Sequence, residues 1–218
     1  MKYVSILVEG QTEETFVKEV LVDHLYGFDV SLVPTIVKTK KVKKGPHYRG
    51  GVVNYDHVKR DLLALLGNSS IHKVTTMLDL YALPNNFPRI QVTTSQGLAK
   101  ALELEQGLLE DIGNNKLIPY IQVHEFEALL FSDVNKFGYA FPEDQVQRLS
   151  EIARQFVSPE DINETPQGAP SRRILDVVGD NRYQKTLHGP IIALEISLQV
   201  IREKCPHFNE WLSDLENL

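Results

Sequence analysis

Three apolar runs in this chain end in carboxylates. Glu9 follows Tyr3 to Val8, Asp79 follows Ile71 to Leu78, and Glu125 and Glu127 follow Leu117 to Val123. Carboxylates brought together from separate strands repel one another, so they require a cation or shared protons. Hard oxygen donors of this kind suit Mg²⁺ or Mn²⁺. A divalent ion held with open positions can activate water and stabilise the charge of a phosphodiester transition state. Glu9, Asp79, Glu125 and Glu127 are therefore the candidate metal ligands. A plainer reading stands beside this one. A single acid at a strand end is usually a turn former or a helix cap, and Glu13 and Glu14 have the position of first-turn acids. Glu125 and Glu127 are two residues apart, which on a regular helix sets them about 160° from each other. At most one of them then faces the site, and Glu125, in the first turn, is the better placed. His124 belongs to a type that more often satisfies a hydrogen bond than binds a metal.

Two groups of cations accompany the acids. Lys38, Lys40, Lys41, Lys43, Lys44 and Arg49 lie within twelve residues, beside Tyr48 and among glycines. Such a segment can track phosphates with a salt-dependent affinity, and the tyrosine can stack on a base. The alternative is a solvated loop. Further on come Ser171-Arg172-Arg173, Lys185 and His188. Cations beside a metal can neutralise a pentavalent phosphate. Against that, Arg172 and Arg173 can pair with surface acids, and His188-Gly189 can cap the last helix.

The elements that must position these groups follow from period and punctuation. Tyr3 to Val8, Val30 to Val37, Ile71 to Leu78 and Leu117 to Val123 read as strands buried on both faces. Between them, Phe16, Val17, Val20 and Leu21 recur at helical spacing behind Thr12, an expected N-cap. Tyr55 to Leu66 reads as a helix closed by Gly67-Asn68, and Ser95 to Ile112 as another. Residues 81–88 form a loop, because Pro84, Pro88, Asn85 and Asn86 break regular structure. His124 to Phe131 is expected to start a short helix directly off the fourth strand. The β-α repetition predicts a parallel sheet covered by helices. Strand signals vanish after Ser132. Pro190 is expected in the first turn of a final long helix with Ile191, Leu194, Leu198 and Ile201 as its buried stripe.

The 218 residues suffice for one sizeable core, and 42% hydrophobic with 24% charged residues is the balance of a globular protein. The first apolar run is too short for a signal peptide, which makes the cytoplasm the expected location. The single cysteine, Cys205, excludes an internal disulfide framework and a cysteine-based zinc cluster. A net charge of −6 argues against coating nucleic acid by bulk charge, though not against a local basic site.

Val8-Glu9-Gly10-Gln11-Thr12-Glu13, placed after a first strand, resembles the opening motif of Toprim domains, which occur in topoisomerases, primases and the overcoming-lysogenisation-defect nucleases. The resemblance implies acid-base chemistry for Glu9. It also implies a metal-holding Asp-x-Asp pair after the third strand, of which Asp79 matches the first member. More widely, the chain resembles an uncharacterised bacterial family of Toprim-like proteins, often encoded beside an ATPase of the structural-maintenance or transporter type. Glu9 to Glu13, Tyr120 to Phe131, Pro159 to Asn163, Lys185 to Pro190, and Cys205 to Phe208 with Trp211-Leu212 carry that likeness. It implies a Toprim-like, Rossmann-like α/β fold: a mainly parallel four-stranded sheet over residues 1–131, with a helical extension over 132–218 packed on it. It also carries Lys185 and His188 as a motif, and so implies that they act with Glu9 in catalysis. One departure stands out. The third-strand motif reads Asp79-Leu80-Tyr81, so a phenol stands where the second aspartate is expected.

Two functions follow. One is a Mg²⁺- or Mn²⁺-dependent nuclease, placed by the resemblance in bacterial defence against phage or plasmids. The other is a catalytically degenerate Toprim-like subunit that binds an ATPase partner or nucleic acid, which the tyrosine at position 81 favours. The absence of a G-x-x-x-x-G-K loop argues against an independent nucleotidase of that design.

Overall fold

Alternation of apolar runs with helix-length segments does build a parallel sheet. The computed structural model describes residues 1–38, 54–162, 165 and 167–218. The first half runs β1 (Lys2–Val8), α1 (Gln11–Phe16), a π-helical turn (Val17–Leu21), α2 (Val22–Tyr26), β2 (Val30–Ile36) and α3 (Tyr55–Leu66). It continues through β3 (Lys73–Asp79), α4 (Gly97–Ile112), β4 (Leu117–Ile118) and β5 (Ile121–Gln122). The sheet order is β2-β1-β3, with β4 and β5 both paired to the outer side of β3, and every pairing is parallel. Helices follow: α5 (Glu127–Leu130), a 3₁₀ stretch (Phe131–Tyr139), α6 (Glu143–Ala153), α7 (Pro170–Val178), α8 (Lys185–Ile196), α9 (Leu198–Lys204) and α10 (Pro206–Glu216). An α/β fold with a mainly parallel sheet and C-terminal helices is therefore what forms. Among the described residues no helix is long and apolar enough to cross a membrane.

The fourth strand corrects the expectation of one run from Leu117 to Val123. Pro119 has no N–H for the ladder, so pairing stops and resumes two residues later. The Thr76 hydroxyl bridges the gap. It donates to the Tyr120 carbonyl and accepts the Tyr120 N–H, both at 2.8 Å.

Alternation along the strands sorts side chains to two faces. Val4, Ile6, Val8 and Met77 face a layer containing Phe16, Phe126, Ile192, Phe208 and Trp211. Leu7, Val74 and Leu78 face α3 and α4 through Val58, Leu62, Leu104 and Leu108. The C-terminal helices thus share one core with the sheet. Trp211 fixes α10 by donating to the Thr75 hydroxyl at 2.8 Å while stacking on Tyr120 at 4.4 Å. The start of α10 is held by Glu160, whose carboxylate accepts the His207 and Phe208 N–H groups, each at 3.1 Å.

Two helix expectations are corrected. Gly10, not Thr12, precedes α1, and Glu13 reaches back to accept the Gly10 N–H at 2.9 Å. Pro190 lies inside α8 rather than in its first turn, and α8 ends at Ser197, where φ is 72°. The buried stripe shifts accordingly: Ile192, Ala193 and Ile196 are buried, whereas Ile191 and Leu194 are 45% and 52% exposed. The cause is the close approach of α8 to α1 at Gly189. A Cβ there would lie 3.1 Å from Phe126 Cε1 and 3.3 Å from Thr12 Cγ2. Gly189→Leu, which puts a whole side chain into that contact, is expected to lower unfolding stability in urea by about 1–3 kcal/mol through overpacking. A change within about 0.5 kcal/mol, the range of ordinary surface substitutions, would show that this contact is not tight.

Candidate active site

All three acidic strand ends open at the same edge of the sheet, because the strands are parallel. The backbone ties them together. Asp79, the last residue of β3, donates its N–H to Glu9 Oε2 at 3.3 Å, so the acid after β1 reaches across to the neighbouring strand. Asp79 Oδ1 in turn accepts the Phe126 N–H at 2.9 Å, and the Tyr81 N–H donates to the His124 carbonyl at 2.9 Å. The exits of β3 and β5 are thereby laced to each other.

His124 takes a positive φ of 65°, so the chain turns there and α5 begins only at Glu127. This corrects the expected helix directly off the strand, and with it the argument that only one of Glu125 and Glu127 can face the site. Both reach one ammonium group: Lys185 Nζ lies 3.4 Å from Glu125 Oε2 and 3.1 Å from Glu127 Oε1. Glu125 also accepts the Ser171 N–H at 2.6 Å and the Ser171 hydroxyl at 3.0 Å. Ser171 is in the first turn of α7, where the helix dipole favours an anion. Tyr183 donates to Glu127 Oε1 at 3.4 Å.

Burial dominates the electrostatics. Glu13, Glu125 and Glu127 are 7%, 5% and 1% exposed. Burial, reinforced by Glu13, pushes Glu9 up to about 7. Burial likewise raises Glu127 to about 7, against the pull of Lys185. Glu13 is raised by burial, and Asp79 stands well above the usual carboxylate range through burial and the charges of Glu9 and Glu13. Burial alone would lower Lys185, but Glu127 and Glu125 outweigh it and hold the ammonium charged. Five carboxyl groups thus surround one ammonium, and burial keeps part of the set protonated near neutral pH.

Glu9, Asp79, Glu125, Glu127 and Lys185 therefore stand together. His188 does not touch the acids among the described contacts. Its Nδ1 accepts the Gln184 N–H at 2.9 Å, and its ring packs on Phe141 and Tyr183 at 5.2 and 5.9 Å. That local bond is the capping alternative noted for His188-Gly189. Arg172 pairs with Asp176 at 2.7 Å on the surface, and Arg173 donates to the Gly168 carbonyl at 2.7 Å. Of the basic segment, Lys38 is exposed, with its N–H bonded to Asp61 at 2.7 Å; Lys40, Lys41, Lys43, Lys44 and Arg49 lie outside the described residues. Sequence reasoning gave no site role to Glu13 or Tyr183, and named Ser171 only as part of the Ser171-Arg172-Arg173 run. For Glu13 a signal existed in its spacing four residues after Glu9. Ser171 and Tyr183 reach the site only through long-range folding.

The donor set suits a hard divalent cation in kind: carboxylate oxygens, partly or fully buried, in mutual repulsion. Among the described residues no three His, Cys, Asp or Glu side chains are already gathered at metal-holding distances. Among the described residues Glu9, Asp79 and Glu13 form no ion pair, whereas Lys185 bridges Glu125 and Glu127 and offsets one of their two charges. Lys185→Met should lower stability by about 1–2 kcal/mol at pH 8, less than for a fully buried pair because the lysine side chain is 46% exposed. The loss should shrink at pH 6, where Glu127 can take up a proton. Denaturant titrations at both pH values test this, and an equal loss at each would remove the pair from the balance.

No curated protein sequence matches the chain. Among solved structures it is similar to the C-terminal region of the Burkholderia pseudomallei OLD protein, with 16% identity, 99% of each chain covered and a TM-score of 0.43. The family model for a domain of unknown function, DUF4276, matches residues 8–216, and the chain belongs to that family.

Proposed function

We propose that the chain is a divalent-metal-dependent phosphodiesterase of the Toprim type acting on nucleic acid. One observation carries this reading. Carboxylates from three separate strand ends are crowded at one edge of a parallel sheet, where ligands of such sheets bind, with their proton affinities raised. Natural folds tolerate such repulsion where function needs it. In this reading Glu9 and Asp79 hold Mg²⁺ or Mn²⁺ with Glu13 beside them, and Glu125 and Glu127 complete the acidic wall. A divalent ion held there would supply an activated water and a counter-charge for the phosphate. Glu9, with an affinity near neutrality, moves the proton. Lys185 offers its charge to the non-bridging phosphate oxygens while holding Glu125 and Glu127 in place. The lysine segment from Lys38 to Arg49 tracks the strand, His188 orients Tyr183 and the start of α8, and the protein works in the cytoplasm.

A second reading has its own support: Lys185 already pairs two of the acids, and Tyr81 stands at the expected second aspartate. The chain would then be a degenerate Toprim-like subunit that docks on an ATPase. Purified protein incubated with plasmid DNA, single-stranded DNA or RNA and Mn²⁺ or Mg²⁺ separates the two. Metal-dependent cleavage lost in Glu9→Gln supports the enzyme; no cleavage of any substrate, alone or with an ATPase encoded nearby, supports the subunit.

A further inference from the structure

A pocket of about 520 Å³ lies between the β3 exit and the start of α4, with Leu80, Tyr81, Gln96, Lys100 and His124 in its wall. It begins one residue past Asp79 and closes one residue before Glu125, so it adjoins the acidic cluster. The backbone bond from Tyr81 to His124 at 2.9 Å, beside the Asp79–Phe126 bond, braces the pocket and the cluster as one unit. Its chemistry differs from that of the cluster. Tyr81, 51% exposed, offers a ring face, and Leu80, Leu83 and Ile90 offer apolar walls. Asn85, Gln91 and Gln96 carry amides, each both donor and acceptor, and Lys100 is the one cation among its lining residues.

We propose that this pocket seats a nucleobase adjacent to the phosphate held at the acidic cluster, with Tyr81 as its stacking platform; this rests on the nucleic-acid reading above. The volume suits a single nucleotide. Aromatic rings stack on any base, and side-chain amides bond to base edges. Lys100, a lining residue of the pocket, supplies the positive charge for a flanking phosphate of such a nucleotide. The tyrosine that departs from the Asp-x-Asp pattern thus acquires a binding role in place of metal ligation.

The test is binding of a single-stranded pentanucleotide with 2-aminopurine at its centre, compared with the same strand abasic at that position, with the full chain and with Ca²⁺ supplied as counter-ion for the phosphate. The wild type should quench the 2-aminopurine and bind the intact strand roughly ten-fold more tightly than the abasic one. Tyr81→Ala should bind both strands alike, while Tyr81→Phe should restore the preference. Lys100→Gln should lower the salt dependence of binding by about one charge. Equal binding of both strands by the wild type, an undiminished preference in Tyr81→Ala, or no binding of either strand would overturn the proposal. Metal-dependent cleavage alongside any of those results would leave the nuclease reading standing. A Tyr81-dependent base preference without cleavage would have the reverse meaning.

Discussion

If the chain is the proposed nuclease, Glu9→Gln should fold as the wild type does and cleave nucleic acid at least about 10³-fold more slowly. Glutamine keeps the side chain's length and can still accept the Asp79 N–H that Glu9 Oε2 accepts at 3.3 Å, so the brace between β1 and β3 survives. What disappears is a carboxylate that burial and Glu13 raise to about 7, able to exchange a proton near neutral pH. General acid-base catalysis is worth about 10²–10⁴-fold, and loss of a ligand charge adds to that. The pH dependence separates the two contributions. If Glu9 is the base, the wild-type rate rises with pH along a limb centred at or below pH 7, since a nearby cation favours the ionised form. That limb should be absent in Glu9→Gln and present, at lower amplitude, in Glu9→Asp. A Glu9→Gln rate within three-fold of wild type at every pH would remove Glu9 from the chemistry.

The scaffold was more legible in the sequence than the site, for physical reasons. Local signals set α3: Asn54 accepts the Asp56 N–H at 2.8 Å and Gly67 closes the helix, so Tyr55–Leu66 forms where pattern and caps agree. β3 carries the β-branched run Val74-Thr75-Thr76 followed by Met77 and Leu78, and nothing in it competes with a strand. The fourth strand carried an equally strong apolar run, yet Pro119 splits it, and a hydroxyl on the neighbouring strand bridges the gap. In α8 the helical period was visible but its phase was not. Gly189-Pro190 reads locally as a helix start, and only the close approach to Thr12 and Phe126 places it inside the helix.

The site followed the same division. Acids at strand ends were readable because parallel strands bring their carboxyl ends to one edge. Convergence of Glu125 and Glu127 on Lys185 was hidden, because it goes with a positive φ at His124, a conformation uncommon outside glycine and not marked by any local signal. Lys185 lies 60 residues from Glu125 and a similar distance along the chain from Glu127, so no spacing rule reaches it; only the resemblance over Lys185 to Pro190 did. That resemblance spans the chain, as does the family match over residues 8–216.

Asp79→Asn should make the protein more stable without metal and unable to gain stability from it. Asparagine can still accept the Phe126 N–H that Asp79 Oδ1 accepts at 2.9 Å, so the lacing to β5 persists. Burial and the charges of Glu9 and Glu13 hold Asp79 well above its ordinary range of 3.8, so the folded state retains a proton that the unfolded chain releases. A carboxyl raised in this way adds stability below its unfolded value and loses it as pH rises toward its folded one. Glu9 and Glu127 act in the same direction between 4.5 and about 7. The metal-free wild type should therefore weaken from pH 5 to pH 8, and Asp79→Asn should recover on the order of 1–3 kcal/mol at pH 8 and little at pH 5. Mn²⁺ reverses the order. At about 100 times its dissociation constant it adds about 2.7 kcal/mol to a protein with an intact site, or several degrees in Tm at this chain length. That gain should be larger at pH 8 than at pH 6, because protons compete for the same oxygens, and should be missing in Asp79→Asn. Thermal unfolding of both proteins at two pH values, with EDTA or Mn²⁺, shows whether the curves cross. A variant less stable than wild type in EDTA at pH 8 would mean that Asp79 serves the fold, and that the crowded acids are not a charge store awaiting a cation.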